Sequence, residues 1–175
     1  METLTRICLI GPECTGKSTL AEELAGKWGT VWVPEFAREY ALRVKRALTA
    51  EDVDAIAEGQ LAFEERAAPL ALKLLILDTD LISTVVYSQF YYGKVPAWVA
   101  RAAAARVADL YLLFDIDVPW EGDGARDATP AARPALHDAF VRTLAEYGAR
   151  VVRVGGDWET RREMAVRAVG ELVGR

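Results

Sequence analysis

The sequence predicts an α/β fold built on a mainly parallel sheet, and three observations predict it. Strand-like and helix-like patterns alternate from one end of the 175-residue chain to the other. Leu74-Leu75-Ile76-Leu77 is a continuous apolar run, the pattern of a strand covered on both faces. The first apolar run is followed without a gap by Gly11-Pro12-Glu13-Cys14-Thr15-Gly16-Lys17-Ser18, which matches G-x-x-x-x-G-K-[ST] between a strand and a helix.

Taken in order, Leu4–Ile10 reads as the first strand and Gly16 to about Trp28 as a helix, with Leu20, Leu24 and Trp28 at helical spacing. Val31-Trp32-Val33 is a short strand stopped by Pro34. Helices are expected over Glu35–Arg46 and Thr49–Ala68, the second opened by Thr49 with Asp52 three residues on, close to a capping box. The apolar strand 74–77 runs into Asp78-Thr79-Asp80. Helices at Leu81–Tyr92 and Ala97–Val107 follow, divided by Gly93 and Pro96. Leu110–Phe114 and Val151–Val154 are the remaining strands, and Asp157 caps a closing helix. Between them, Asp117–Pro130 is rich in Gly, Asp and Pro and lacks periodicity, so it reads as a mobile loop. Arg133-Pro134 opens the helix that runs to Tyr147-Gly148. No repeat or linker interrupts the pattern, and one domain over 1–175 is expected, with a lid at about 117–134.

Composition narrows the function. Hydrophobic residues make up 52% and charged residues 27%, a globular balance that excludes wholesale disorder. A chain of this length buries roughly 70% of its unfolded surface and needs no covalent staples. Twenty-one basic against twenty-six acidic residues give a formal charge of -5, which argues against a nucleic-acid partner. Two cysteines and one histidine cannot supply the four N/S ligands of a structural zinc site. They read as reduced thiols and a helix-face histidine, His137. The apolar stretch Ile7–Ile10 is shorter than a signal-peptide core of about 7–15 residues, and no run reaches the roughly 18–20 that span a bilayer. A cytoplasmic protein with no membrane partner is expected.

The strongest chemical signal is the phosphate cradle. Glycines at 11 and 16 allow backbone conformations in which successive N–H groups face an anion. Lys17 adds a mobile charge for β- and γ-phosphates, the Ser18 hydroxyl is a Mg²⁺ ligand, and the helix that follows turns its positive end to the same site. Acidic groups gather at the carboxyl ends of the other strands, where ligands of open α/β sheets bind. Asp78 and Asp80 follow the third strand, and Glu35 with Arg38 follows the second. Asp78 is placed to hold a metal-bound water or to take a proton from an attacking hydroxyl; Asp80 serves equally as a helix cap. The glycine-bearing segment 118–127, which carries Arg126 and precedes Arg133, is suited to close over a triphosphate and neutralise developing charge.

Together, GPECTGKST, VPEFAREY, LILDTD and PWEGDGAR resemble the ribosylnicotinamide kinase domain of the NadR family, over nearly the whole chain. The resemblance implies a three-layer P-loop kinase fold, with a five-stranded parallel sheet of order 2-3-1-4-5, helices on both faces and a lid loop. It implies transfer of the ATP γ-phosphate, with Mg²⁺, to the ribose 5′-hydroxyl of nicotinamide riboside. By position, Gly11, Glu13, Cys14, Thr15, Gly16, Lys17, Ser18 and Thr19 would bind ATP together with Arg126 and Arg133. Ser18 and Asp78 would serve the metal, while Lys17, Asp78, Glu35 and Arg126 would carry catalysis. Glu35, Phe36, Arg38, Asp80 and Tyr91 would meet the nucleoside, Tyr91 by stacking on a cationic pyridinium. Pro34 stands where some members carry a second stacking aromatic, with Phe36 nearby, and Gly122 where another lid acid is expected. Larger members add an N-terminal nucleotidyltransferase domain, for which a P-loop at Gly11 leaves no room. Alternatives are a nucleoside monophosphate kinase, another small-molecule kinase, or an ATP-binding regulatory switch. Thr79-Asp80 lacks the arginine an acceptor phosphate would want.

Overall fold

The computed structural model describes residues 4–119 and 130–174. Five strands form one parallel sheet: β1 (Thr5–Ile10), β2 (Trp32–Val33), β3 (Leu74–Asp78), β4 (Leu110–Phe114) and β5 (Val151–Val154), in the order β2-β3-β1-β4-β5. The expected order therefore holds. Strand β1 lies at the centre, pairing Cys8 with Leu77 on one side and with Tyr111 on the other. Its last four residues are buried, as are all of β3 and β4, which is why those three segments read as unbroken apolar runs. The edge strand β5 is partly exposed.

Alternate side chains of the central strands enter two separate cores. Ile7, Leu9, Ile76 and Leu112 pack with Leu20 and Leu24 of α1 (Lys17–Trp28) and with Ala165 and Val169 of α7 (Trp158–Val173). Cys8, Ile10, Leu75, Leu77 and Leu113 face the opposite way. They meet α3 (Val53–Ala67), α4 (Leu81–Tyr92), α5 (Ala97–Ala105) and α6 (Arg133–Glu146) through Ala57, Val86, Val99 and Phe140. Helix α2 (Phe36–Val44) lies against α3.

Helix ends follow local chemistry. Gly29 and Gly93, both in the left-handed region, close α1 and α4, and Asp157 caps α7 by accepting from the Thr160 N–H at 2.8 Å. The expected helix at 49–68 begins as a 3-10 turn, Ala50–Asp52, closed by a complete Thr49/Asp52 capping box. Both cysteines are free thiols. Among the described residues no helix is long and apolar enough to cross a membrane.

Candidate active site

The loop after β1 bends at three positions of positive φ: Gly11 at +137, Cys14 at +57 and Gly16 at +88. A Cβ on Gly11 would lie 3.0 Å from the Phe114 carbonyl oxygen, and one on Gly16 would lie 2.7 Å from the Trp158 ring. Side chains at either place would displace the loop. Gly16 is the N-cap of α1 and supplies no side-chain hydrogen bond, so the first N–H groups of that helix face the loop as an anion seat. Lys17 folds back over it, its Nζ donating to the Pro12 carbonyl at 2.6 Å and to Thr15 Oγ1 at 3.3 Å.

Ser18, one residue into the helix, donates its hydroxyl to Asp78 Oδ2 at 2.5 Å. Asp78 is 2% exposed at the end of β3, and its Oδ1 is buried with no hydrogen-bond partner. Burial, and then the negative charge of Glu35, push the Asp78 carboxyl above the usual carboxylate range, against Lys17, Ser18 and Arg38. Glu35 occupies the N-cap position of α2 without a side-chain capping bond, its Oε2 4.0 Å from Arg38 Nε. Cradle, serine hydroxyl and orphaned carboxylate oxygen fit a polyphosphate carried with a divalent cation. Among the described residues no group of three His, Cys, Asp or Glu side chains is placed to hold a metal unaided.

A cavity of about 630 Å³ opens beside the loop. Glu13 and Glu35 line its loop end, and Thr79, Ser83, Thr84, Tyr87, Ser88 and Tyr91 line the wall along α4. The connection from Lys45 to Thr49 closes the far side. Tyr87 and Tyr91 are parallel, with centroids 6.1 Å apart and 6° between planes, while Tyr87 meets Phe140 edge-on at 5.6 Å. Core packing and cavity lining thus coincide in one helix face.

The structure sets several of the expected site residues away from the cavity wall. Phe36 turns away from the cavity: its backbone N–H donates to Gln60 Oε1 at 3.0 Å and its ring sits edge-on to Phe63 in space left by Gly59. Asp80 is 5% exposed and absent from the cavity wall. Its Oδ1 accepts from the Ile82 N–H at 2.9 Å and its Oδ2 from the Tyr111 hydroxyl at 2.5 Å, so it stands here as the buried cap of α4. Arg38 does not line the cavity but contributes to the field at Asp78. Thr19 is exposed on α1. Arg133 is buried and ties α6 to the loop, donating to the Val118 carbonyl at 3.0 Å and to that of Cys14 at 3.5 Å. Arg126 lies outside the described residues, as does most of the expected lid.

The sequence reasoning missed Arg161. It is 1% exposed on α7 and donates to the carbonyls of Gly156 (2.8 Å), Thr15 (3.2 Å) and Asp115 (3.2 Å), and to Asp117. It anchors the phosphate loop from behind. The signal was present, since Arg161 shares the buried stripe of Ala165, Ala168 and Val169. Thr79 was missed as well. It is a β-branched residue held at φ +73 directly after Asp78, a conformation such residues rarely adopt.

Comparison with known proteins accords with this geometry. A sequence model of the AAA domain family matches residues 6–161. The chain is 29% identical, over 96% of its own length, to the trifunctional NAD biosynthesis/regulator protein NadR of Escherichia coli (strain K12), and spans 42% of that relative. Among solved structures, a NadR protein in complex with NR matches with a TM-score of 0.82 and 28% identity, over 98% of this chain and 52% of that one. Thymidylate kinase from Candida albicans shares the fold, with a TM-score of 0.67 and 17% identity over 98% and 92% of the two chains.

Proposed function

The chain belongs to the AAA domain family, and we propose that it is an ATP-dependent kinase that phosphorylates the 5′-hydroxyl of a nucleoside. Its acceptor is nicotinamide riboside and its product nicotinamide mononucleotide. The observation that carries the reading is the open cavity beside the phosphate loop, acidic at the loop end and aromatic beyond it. A nucleotide-operated switch needs the loop but no such cavity. The likeness to NadR supports the choice of acceptor.

The residues divide the work by position. The N–H groups from Glu13 to Ser18 and the Lys17 ammonium hold the β- and γ-phosphates, and Arg133 keeps the loop in place. Ser18, with Asp78 behind it, would hold a Mg²⁺ carried in with ATP, and the ion would supply charge neutralisation on the phosphoryl oxygens. Glu35 lines the cavity whereas Asp78 does not, so Glu35 receives the proton of the acceptor hydroxyl. That hydroxyl oxygen bonds to the γ-phosphorus as the bond to the β,γ-bridging oxygen breaks, and ADP leaves. Tyr91 stacks on the cationic pyridinium, an attraction of about 0.5–2 kcal/mol, and the negative ends of Glu13 and Glu35 favour a cationic acceptor over a phosphorylated one.

The test is a coupled ADP-release assay with Mg·ATP, run across nicotinamide riboside, common nucleosides and their monophosphates. Strong stimulation by nicotinamide riboside is expected. Stimulation by another nucleoside keeps the reaction and discards the acceptor, and no stimulation with ATP still bound points to a switch. Lys17→Ala should lower kcat by about two to three orders of magnitude with the fold intact; near-normal turnover would remove the cradle assignment.

A further inference from the structure

We infer that Asp52, which does not line the cavity, is a positioning residue that sets one wall of the acceptor site. The wall is the stretch from Lys45 to Thr49, five consecutive cavity-lining residues between α2 and the turn that opens α3. This strap has no helix or strand to fix it, and it starts from Lys45 in the left-handed region at φ +53. Beyond the Lys45 N–H, which donates to the Ala41 carbonyl at 3.0 Å, what fixes it is a single carboxylate. Asp52 is 3% exposed and accepts five hydrogen bonds. Arg46 donates through Nη1 to Oδ2 and through Nη2 to Oδ1, both at 2.7 Å, in a forked pair. Thr49 donates its backbone N–H at 2.8 Å and its hydroxyl at 3.1 Å. The Tyr40 hydroxyl donates at 2.9 Å from α2.

These bonds gather both ends of the strap, the helix before it and the turn after it onto one point. A capping box requires only the Thr49 bonds. The Arg46 fork and the Tyr40 hydroxyl are additional, and they hold the part of the strap that faces the cavity. Arg46 also donates Nη1 to the Ala47 carbonyl at 2.9 Å, which carries the fixation further along the wall. The width of the acceptor site opposite Tyr87 and Tyr91 is therefore set by a side chain that never touches the acceptor. The phosphate loop lies outside this network, so ATP binding is independent of it.

The inference rests on the kinase reading above, and its test separates the two. Asp52→Asn keeps size and removes charge. It should raise KM for the acceptor about tenfold, the effect of one well-formed bond lost, with kcat at saturating acceptor and KM for ATP within about twofold of wild type. Tyr40→Phe, which leaves the capping box whole, should raise the same KM by a smaller factor. Trypsin, cutting after Lys45 or Arg46, should cleave Asp52→Asn several times faster than wild type, a readout independent of turnover. An unchanged acceptor KM in both folded variants would overturn the inference. So would a fall in kcat and ATP affinity together with it, since that pattern marks a general structural defect. If wild-type enzyme phosphorylates no acceptor, the kinase reading fails and the positioning role falls with it. In that event faster trypsin cleavage of Asp52→Asn would show the clamp to be structural alone.

Discussion

Asp78 and Glu35 illustrate how one carboxylate alters the charge of another at a neighbouring strand end. Burial and the Glu35 charge both raise the Asp78 pKa, so its neutral form persists further up the pH scale than in an exposed aspartate. The sign of the consequence is fixed. Below the raised pKa Asp78 is protonated and loses its grip behind Ser18, and Mg·ATP affinity should climb as pH rises through it. Titration of Mg·ATP binding from pH 4.5 to 8 should show this step, and Glu35→Gln should move it to lower pH by deleting one of its causes. A step that stays put in Glu35→Gln would disconnect the two residues. Residues of the cradle were legible in the sequence because the loop spacing dictates both identity and place. Phe36 and Asp80 were not. Each lies beside a cavity-lining residue in the chain, Glu35 or Thr79, and only packing decides that Phe36 fills the space over Gly59 and that Asp80 meets Tyr111.

Helix α7 carries an anchor for a loop nearly the whole chain away. Arg161 presents its guanidinium to three carbonyls and one carboxylate, a fork that lysine cannot reproduce. Arg161→Lys should lower unfolding free energy by about 1–3 kcal/mol, the cost of leaving a buried acceptor unpaired, and should weaken Mg·ATP binding in parallel. Urea unfolding and ATP titration check the pair; stability lost with ATP affinity intact would make the anchor structural only. The elements themselves were largely legible. Strands β1, β3 and β4 announced themselves as apolar runs because both of their faces are covered, and Thr49 with Asp52 announced the start of α3. What a pattern of spacing cannot carry is the partner across the fold, and Arg161 is the instance.

At the scale of the molecule, a second acidic cluster sits on the α3 face. Glu64 is 4% exposed, 3.7 Å from Arg106, with its Oε1 unpaired, and burial followed by the Asp80 charge raises its pKa to about 7. A raised carboxyl pKa favours the neutral form in the folded state. Its contribution is complete below the ordinary value of 4.5 and is lost as pH rises through about 7. Glu64→Gln, permanently neutral, should therefore gain on wild type from pH 4 to pH 8 by up to about 3 kcal/mol, as read by denaturant unfolding at each pH. A constant difference would mean that Glu64 ionises freely. Sheet order was the one global feature that alternation could not supply. Every right-handed crossover is compatible with several orders, and the order was reached through resemblance of the site motifs. The two cores either side of that sheet have a consequence for how such a protein diversifies. The grip on nucleotide is braced by α1 and α7 on one side, while the cavity wall is drawn from α2, α3 and α4 on the other. The sheet is a partition: substitutions can reshape the cavity wall on one side while the brace of the phosphate loop on the other stays as it is.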